Sequence, residues 1–403
     1  MRIAIVGLGF VGLVTSTVLA QYNEIIGIDI DKNKIDKLNN NDLYIYEPGL
    51  QELFLENRDR MNFYNNYENA KNVDIAFICV PTPTVKNKID TSYVDEAIKS
   101  LSNAGRMIPI VIKSTVVPGT ASILSGKVSN CILSNPEFLR EGSAIYDTIH
   151  PDRVVIGGKN NENIKILSKI WEFTGAPLLK TTNENAELIK YASNSFLAVK
   201  ISFINEIADL CQKIPNTDVE AVAKGMGMDH RIGKDFLRAG IGFGGSCFPK
   251  DTRAIVTFAQ EKGIDLNIIN QAINVNNTRI KKALELIEKT VGNLNGKKIL
   301  LLGLSFKNDT NDLRESKSIE LANELIQKGA IVYAYDPIIT DYAGITMVKN
   351  IDDYNYDSII ISSEWDEFKD NGVYNKNQNV IDLRRIVDLN LYPRVKAIGV
   401  HYD

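Results

Sequence analysis

Sulfur and imidazole are scarce in this sequence, with four cysteines and three histidines in 403 residues. Cysteines at 79, 131, 211 and 247, so widely scattered, do not make a disulfide framework. Three isolated histidines give no basis for a His-based metal site, and no metal is expected. Long apolar runs are missing too: beyond the N-terminus no segment reaches the ~20 residues of a membrane span. Nor does one sign of charge dominate. Lys and Arg number 46 against 50 Asp and Glu, a net −4, which argues against nucleic acid as a partner and still allows a local basic pocket. Tandem short repeats and low-complexity segments are absent.

What is present is ordinary for a soluble, cytoplasmic, multidomain chain, 44% apolar and 24% charged. Its length suggests two or three domains, each able to bury a core. Met1–Ala20, with one charge at Arg2 ahead of an apolar run, imitates a signal peptide. Its three regularly spaced glycines read better as a turn between a buried strand and a helix.

Arg2–Val6 is a β-branched run followed by Gly7-Leu8-Gly9-Phe10-Val11-Gly12 and a helix-compatible stretch to Leu19. Ile25–Ile28 is a second strand ending at Asp29. Strand, glycine turn, helix, strand and acidic residue is the order of a dinucleotide fold. Further strands are expected at Asp74–Cys79, Pro109–Lys113, Cys131–Leu133 and Val154–Ile156, in a parallel α/β sheet. Residues 1–182 would form this first domain. Glu184 to Ile214 lacks Gly and Pro and repeats apolar residues at helical spacing, which predicts a helix of about 30 residues. A helix of that length bridges domains or forms a dimer seam, and residues 183–292 would be a central helical domain. From Lys297 the α/β pattern resumes, giving a third domain at 293–403. Strands are expected at Lys297–Gly303, Ile331–Tyr335, Ser358–Ile361, Val380–Ile381 and Val395–Ile398, and a helix over Ser316–Lys328. Its glycine turn is degraded, with Ser305 and Phe306 where further glycines would sit. The fold class is therefore α/β, two Rossmann-like parallel-sheet domains joined by a long central helix.

In the first turn Gly7 permits the tight bend, Gly9 lets a pyrophosphate approach, and Gly12 lets helix and strand pack closely. Asp29 suits the adenosine ribose and repels a 2′-phosphate, favouring NAD, although Lys32 and Lys34 blunt that preference. Cys79-Val80-Pro81-Thr82-Pro83-Thr84 reads either as a rigid loop or as a wall of the cofactor site. Lys113-Ser114-Thr115 points to the same sheet edge. Glu137 and Glu141 would share one face if helical, and Lys190 and Asn194 share a face of the long helix. Four glycines within Gly240–Gly245 can wrap a polar ligand. Cys247 follows them, near Lys250 and Asp251, in a setting suited to a thiolate nucleophile. Cys79, Cys131 and Cys211, among apolar neighbours, read as packing residues.

GLGFVGL, VPTPT, KSTVVPGT, NPEFLREG, HPDRVVIG, GFGGSCFPKD and GLSFKNDTNDLRES, in this order, resemble the nucleotide-sugar dehydrogenase family over essentially the whole chain. Ser246 stands where the members acting on N-acetylmannosamine nucleotides usually carry histidine. The resemblance implies a four-electron oxidation of UDP-glucose to UDP-glucuronate with two NAD. It proceeds through a thiohemiacetal and a thioester on Cys247, then hydrolysis. Lys190 and Asn194 would stabilise the oxyanion, Glu137 would serve thioester hydrolysis, Glu141 would lie between substrate and cofactor, and Thr115 and Asp251 would hold a water.

The cofactor set so implied is Gly7, Gly9, Phe10, Val11, Gly12, Asp29, Lys34, Val80, Thr82, Pro83, Thr84, Ser114, Thr115, Glu141, Lys250 and Arg314. Lys34 sits where some relatives carry arginine. The sugar would meet Glu137, Phe138, Leu139, Arg140, Glu141, Lys190 and Asn194, with Phe236, Gly240, Phe243 and Gly244 from the glycine loop. Phe306, Lys307 and Arg384 would hold the uridine diphosphate. Arg231 matches an arginine supplied by a neighbouring subunit, which implies a homodimer through the central helix. Alternatives within the family are GDP-mannose and UDP-N-acetylhexosamine oxidation. Outside it stand a catalytically idle nucleotide-sugar binder and a two-electron β-hydroxyacid dehydrogenase, which would not need Cys247.

Overall fold

The computed structural model describes residues 1–104, 107–352, 355–370, 372–375 and 379–402. They form two compact units, Met1–Ser193 and Asn194–Asp403. Strands of the first are β1 (Arg2–Val6), β2 (Glu24–Ile28), β3 (Met61–Tyr64) and β4 (Ile75–Ile78), a small hairpin β5–β6 (Thr84–Val85, Lys88–Ile89), then β7 (Ile110–Ile112), β8 (Ile132–Ser134), β9 (Val154–Gly157) and β10 (Leu178–Thr181). Its helices are α1 (Phe10–Leu19), α2 (Lys32–Asn39), α3 (Leu50–Glu56), α4 (Ser92–Asn103), α5 (Thr120–Ser125), α6 (Ala144–Ile149) and α7 (Asn161–Ile170). Eight strands make one sheet, ordered β10-β9-β8-β7-β4-β1-β2-β3.

Both faces of this sheet are covered, which explains why its strands read as continuous apolar runs. Along β1, Ile3 and Ile5 join one core cluster while Ala4 and Val6 join another. The parallel pattern expected from the sequence holds for six strands. β9 meets β8 antiparallel through Ser134 and Gly157, so β9 and its parallel neighbour β10 run the other way. The chain leaves β8 and re-enters the sheet from the same edge, and the Asn135 amide stitches that reversal by donating to Val155 O at 2.8 Å.

The long helix α8 covers Asn183–Cys211, 29 residues, close to the span predicted, and the boundary between the units falls inside it. The second unit continues with α9 (Val219–Gly227), α10 (Phe248–Glu261), α11 (Asn267–Val291), β11 (Lys298–Leu302), α12 (Lys317–Gln327), β12 (Ile331–Tyr335), β13 (Thr346–Met347), β14 (Ser358–Ile361), β15 (Asn379–Asp382) and β16 (Lys396–Ala397). A six-stranded sheet runs β13-β12-β11-β14-β15-β16, every pair parallel. Among the described residues no helix is long and apolar enough to cross a membrane.

The two units repeat one construction. In the first, Gly7 (φ 89°) ends β1 and the Leu8 N–H donates to Asp29 at 2.8 Å. In the second, Gly303 (φ 94°) ends β11 and the Leu304 N–H donates to Asp336 at 2.8 Å. Each carboxylate closes the turn that follows the first strand of its sheet.

Candidate active site

Within the first unit, the loops after β1, β2, β4, β7 and β8 all leave the carboxyl edge of the sheet. Strand order reverses between β4 and β1, the place where open α/β sheets bind ligands. A Cβ on Gly12 would lie 1.8 Å from Gly7 O, so this glycine is required by packing. A Cβ on Gly9 would meet nothing within 4 Å, which leaves open room beside the backbone. Gly9 also caps α1 without a side chain, so the first-turn N–H groups face that room. Asp29 is buried and held by Leu8 and by the Asp31 N–H at 2.9 Å, and Lys34 Nζ stands 3.6 Å away. Open space, uncapped amides and a fixed carboxylate fit a dinucleotide. Gly7, Gly9, Phe10, Val11, Gly12 and Asp29 would hold it.

Val80, Thr82, Pro83 and Thr84 line the loop after β4. The Ser114 hydroxyl donates to Val80 O at 2.7 Å and so ties this loop to the one after β7. Burial pushes the Cys79 thiol up to about 12, which agrees with its reading as a packing residue. Lys113, buried with Nζ 4.7 Å from the Trp171 ring centroid, has its pKa lowered by burial.

Glu137 and Glu141 do not share a helix face: residues 135–143 contain no helix. Glu137 folds back so that its carboxylate accepts the Leu139 N–H at 2.9 Å, a local bond that competes with helix. Its other oxygen takes Lys190 Nζ at 2.8 Å, both side chains over nine-tenths buried. Phe138 lies under the Arg153 guanidinium at 3.9 Å, with Lys190 Nζ 5.5 Å from the same ring. Arg140 grips Asp147 at the surface. Glu141 is half-buried in the turn beside Gly142, which Glu47 fixes by accepting the Gly142 N–H at 2.7 Å and the Ala144 N–H at 2.6 Å.

In the second unit, Cys247 is the N-cap of α10, with proline in the first turn and Ser246 Oγ 3.6 Å from Sγ. A thiolate there sits at the positive end of the helix dipole. Lys250 is less available to it than the sequence suggested, since its Nζ pairs with Asp251 at 2.6 Å. The second Asp251 oxygen accepts the Asn194 amide at 2.7 Å, and Asp251 is 1% exposed.

The loop before Cys247 is held by three buried side chains that the sequence reading missed. Asn205 accepts the Gly240 N–H at 2.8 Å. Asn276 accepts the Phe243 N–H at 2.7 Å and donates to Phe243 O at 3.1 Å. Arg279, fully buried, donates to Gly240 O and pairs with Asp209 at 2.8 Å. Gly244 packs against Glu315 O and Gly245 against the Phe306 ring, so close that neither could carry a Cβ without displacement. Phe236, at φ 64°, and Phe243 each pack against Phe248 at 6.0 Å.

Arg384 Nε donates to Ser362 O at 2.8 Å and Nη1 to Gly242 O at 3.4 Å, and burial lowers its pKa. Lys307 Nζ lies 5.8 Å from the Phe306 ring centroid. Arg231 and Arg314, by contrast, are solvent-facing and grip Asp229 and Asp312. Among the described residues no group of three or more His, Cys, Asp or Glu side chains could hold a metal ion.

A dinucleotide turn on one sheet edge and a glycine-rich loop leading into a helix-capping cysteine define a nucleotide-dependent oxidoreductase. Comparison with known proteins narrows the class. Residues 1–174 match the NAD binding domain of the UDP-glucose/GDP-mannose dehydrogenase family, 184–278 its central domain and 300–389 its UDP binding domain. The UDP-glucose 6-dehydrogenase YwqF of Bacillus subtilis is 41% identical over 391 residues, covering 92% of this chain and 89% of its own. The UDP-glucose 6-dehydrogenase of Rickettsia felis is 41% identical over 435 residues, covering 100% and 95%. A UDP-glucose dehydrogenase structure from Pyrobaculum islandicum superposes with a TM-score of 0.92 at 34% identity, covering 100% and 98%. The chain belongs to the UDP-glucose/GDP-mannose dehydrogenase family.

Proposed function

We propose that this protein oxidises UDP-glucose to UDP-glucuronate, using two NAD and one water per sugar. The observation that carries the reading is Cys247 at the head of α10, directly after a glycine loop pinned by Asn205, Asn276 and Arg279. A two-electron alcohol dehydrogenase has no use for a thiol so placed. NAD, when bound, accepts a hydride from C6 of the sugar at each of the two oxidations.

The residues of the chain do the rest. Cys247 Sγ bonds to the aldehyde carbon, retaining it as a thiohemiacetal. Loss of the second hydride leaves a thioester, and water releases the carboxylate and restores the thiol. Lys190 and Asn194 supply the cation and amide that meet the oxyanion. Glu137 orients and deprotonates the hydrolytic water, Glu141 lies between substrate and cofactor, and Thr115 and Asp251 hold a water for proton transfer. Phe306, Lys307 and Arg384 bind the uridine diphosphate. Ser246, in place of histidine, favours UDP-glucose over N-acetylmannosamine nucleotides.

The assembly we propose is a homodimer in the cytoplasm. Phe196, Phe203 and Leu210 recur every seven residues on α8 and are 64%, 44% and 54% exposed, an apolar seam for the α8 of a second copy. Arg231 would then serve the partner's site. The reaction itself is tested by counting NADH per mole of UDP-glucose consumed, with UDP-glucuronate identified as product. Two is expected; a plateau at one overturns the thioester route.

A further inference from the structure

We infer that Glu187 is a positioning residue, fixing Thr115 and Lys190 relative to each other. The inference rests on the catalytic roles proposed for those two residues and adds one that no sequence motif marks. Gly119 (φ 96°) is the N-cap of α5 and has no side chain with which to cap it. Glu187, 68 residues later on α8, supplies the missing acceptor: Oε2 takes the Gly119 N–H at 2.6 Å and Oε1 the Ala121 N–H at 2.9 Å. Oε1 also accepts the Ser134 hydroxyl at 3.3 Å, at the end of β8.

One carboxylate thus joins three segments. The loop after β7 carries Thr115, four residues before Gly119. Lys190 lies three residues after Glu187 on the same face of α8. Glu137, which Lys190 grips, follows Ser134 by three residues. Thr115, Ser134, Glu187 and Lys190 line one common cavity. Glu187 is 4% exposed and Ala121 is fully buried, so water cannot replace the carboxylate as acceptor of the Ala121 N–H. Without it the buried Ala121 N–H is orphaned, the half-buried Gly119 N–H loses its acceptor, and the Thr115 loop must re-sort.

The test uses the full chain with Glu187→Gln and Glu187→Ala. Glutamine keeps the shape but turns an NH2 toward either the Gly119 or the Ala121 N–H, so one of the two backbone bonds is lost. The expected result for Glu187→Gln is a fall in kcat for UDP-glucose of roughly 10- to 100-fold, the cost of a small misplacement of reacting groups. The Kd for NADH weakens less than kcat falls, because Ser114 and Thr115 of the cofactor set ride on that loop while the glycine turn is untouched. Amide exchange quickens in the same variant at one at least of Gly119 and Ala121. Glutamine carries the test if the alanine variant fails to fold. An unchanged kcat, or kcat and NADH affinity failing in step, overturns the inference. Retained protection of both amides overturns it even if the wild type proves inert toward UDP-glucose, an outcome that would sink the proposed function separately.

Discussion

The Asn194 side-chain amide donates to Asp251 across 2.7 Å, and both groups are nearly sealed from solvent. Asp251 is also gripped by Lys250, so its carboxylate carries one charged and one neutral partner. Asn194→Ala removes the neutral one and leaves a buried carboxylate oxygen unpaired. A loss of about 1–3 kcal/mol is expected in urea melts. An oxyanion role for Asn194 adds a kcat deficit on the order of 10²–10³. A stability loss with normal turnover would reduce Asn194 to a structural group.

Gly9 and Gly12 separate binding from packing. Gly12→Ala puts a methyl 1.8 Å from Gly7 O, and the variant should lose stability together with NAD affinity. Gly9→Ala meets no protein atom within 4 Å and should fold with an unchanged melting temperature. Its methyl would instead stand where a pyrophosphate must approach, so NADH binding should weaken alone. Equal NADH affinity in wild type and Gly9→Ala would contradict the assigned turn.

Asn276 acts as a side-chain strand partner for Phe243, pairing both its N–H and its C=O. Asn276→Ala should raise KM for the nucleotide sugar more than KM for NAD, because the slackened loop precedes Cys247. It should also destabilise the fold by about 1–3 kcal/mol, since two buried backbone groups lose their partners. Steady-state kinetics with each substrate varied in turn decides this.

Burial raises the Glu187 carboxyl to about 7 from its ordinary 4.5. The folded chain therefore binds a proton that the unfolded chain releases between these values, and stability falls as pH rises through that window. The contribution is full below pH 4.5 and lost above about 7, on the order of 3 kcal/mol over the window. Glu187→Gln should flatten this part of the stability–pH curve. Chemical melts at pH 5 and pH 8 measure it, and an unchanged slope would assign the proton elsewhere.

Much of the fold was legible because each strongly buried strand is a continuous apolar run and each glycine turn has one backbone solution. β3 escaped notice because Met61–Tyr64 alternates buried and exposed residues within only four positions. β10 escaped because Leu178–Lys180 is exposed at the sheet edge. The shared face that Glu137 and Glu141 would have had if helical is not formed, because Glu137 satisfies the Leu139 N–H itself. Glu187, Asn205, Asn276 and Arg279 were invisible for a shared reason. Each is a polar residue in a helical pattern, where polarity usually marks a solvated face, and its partner lies 33 or more residues away.

The repeated turn has a kinetic consequence. Gly9 leaves its turn open, whereas Ser305 closes the second turn by giving both its N–H and its hydroxyl to Asp336. Of these two turns, then, one is free to seat a dinucleotide. If each sugar yields two NADH, that seat must be emptied and refilled in mid-cycle. The half-oxidised sugar would have to stay behind during the exchange, and the covalent tether proposed at Cys247 would turn a leak of aldehyde into a wait.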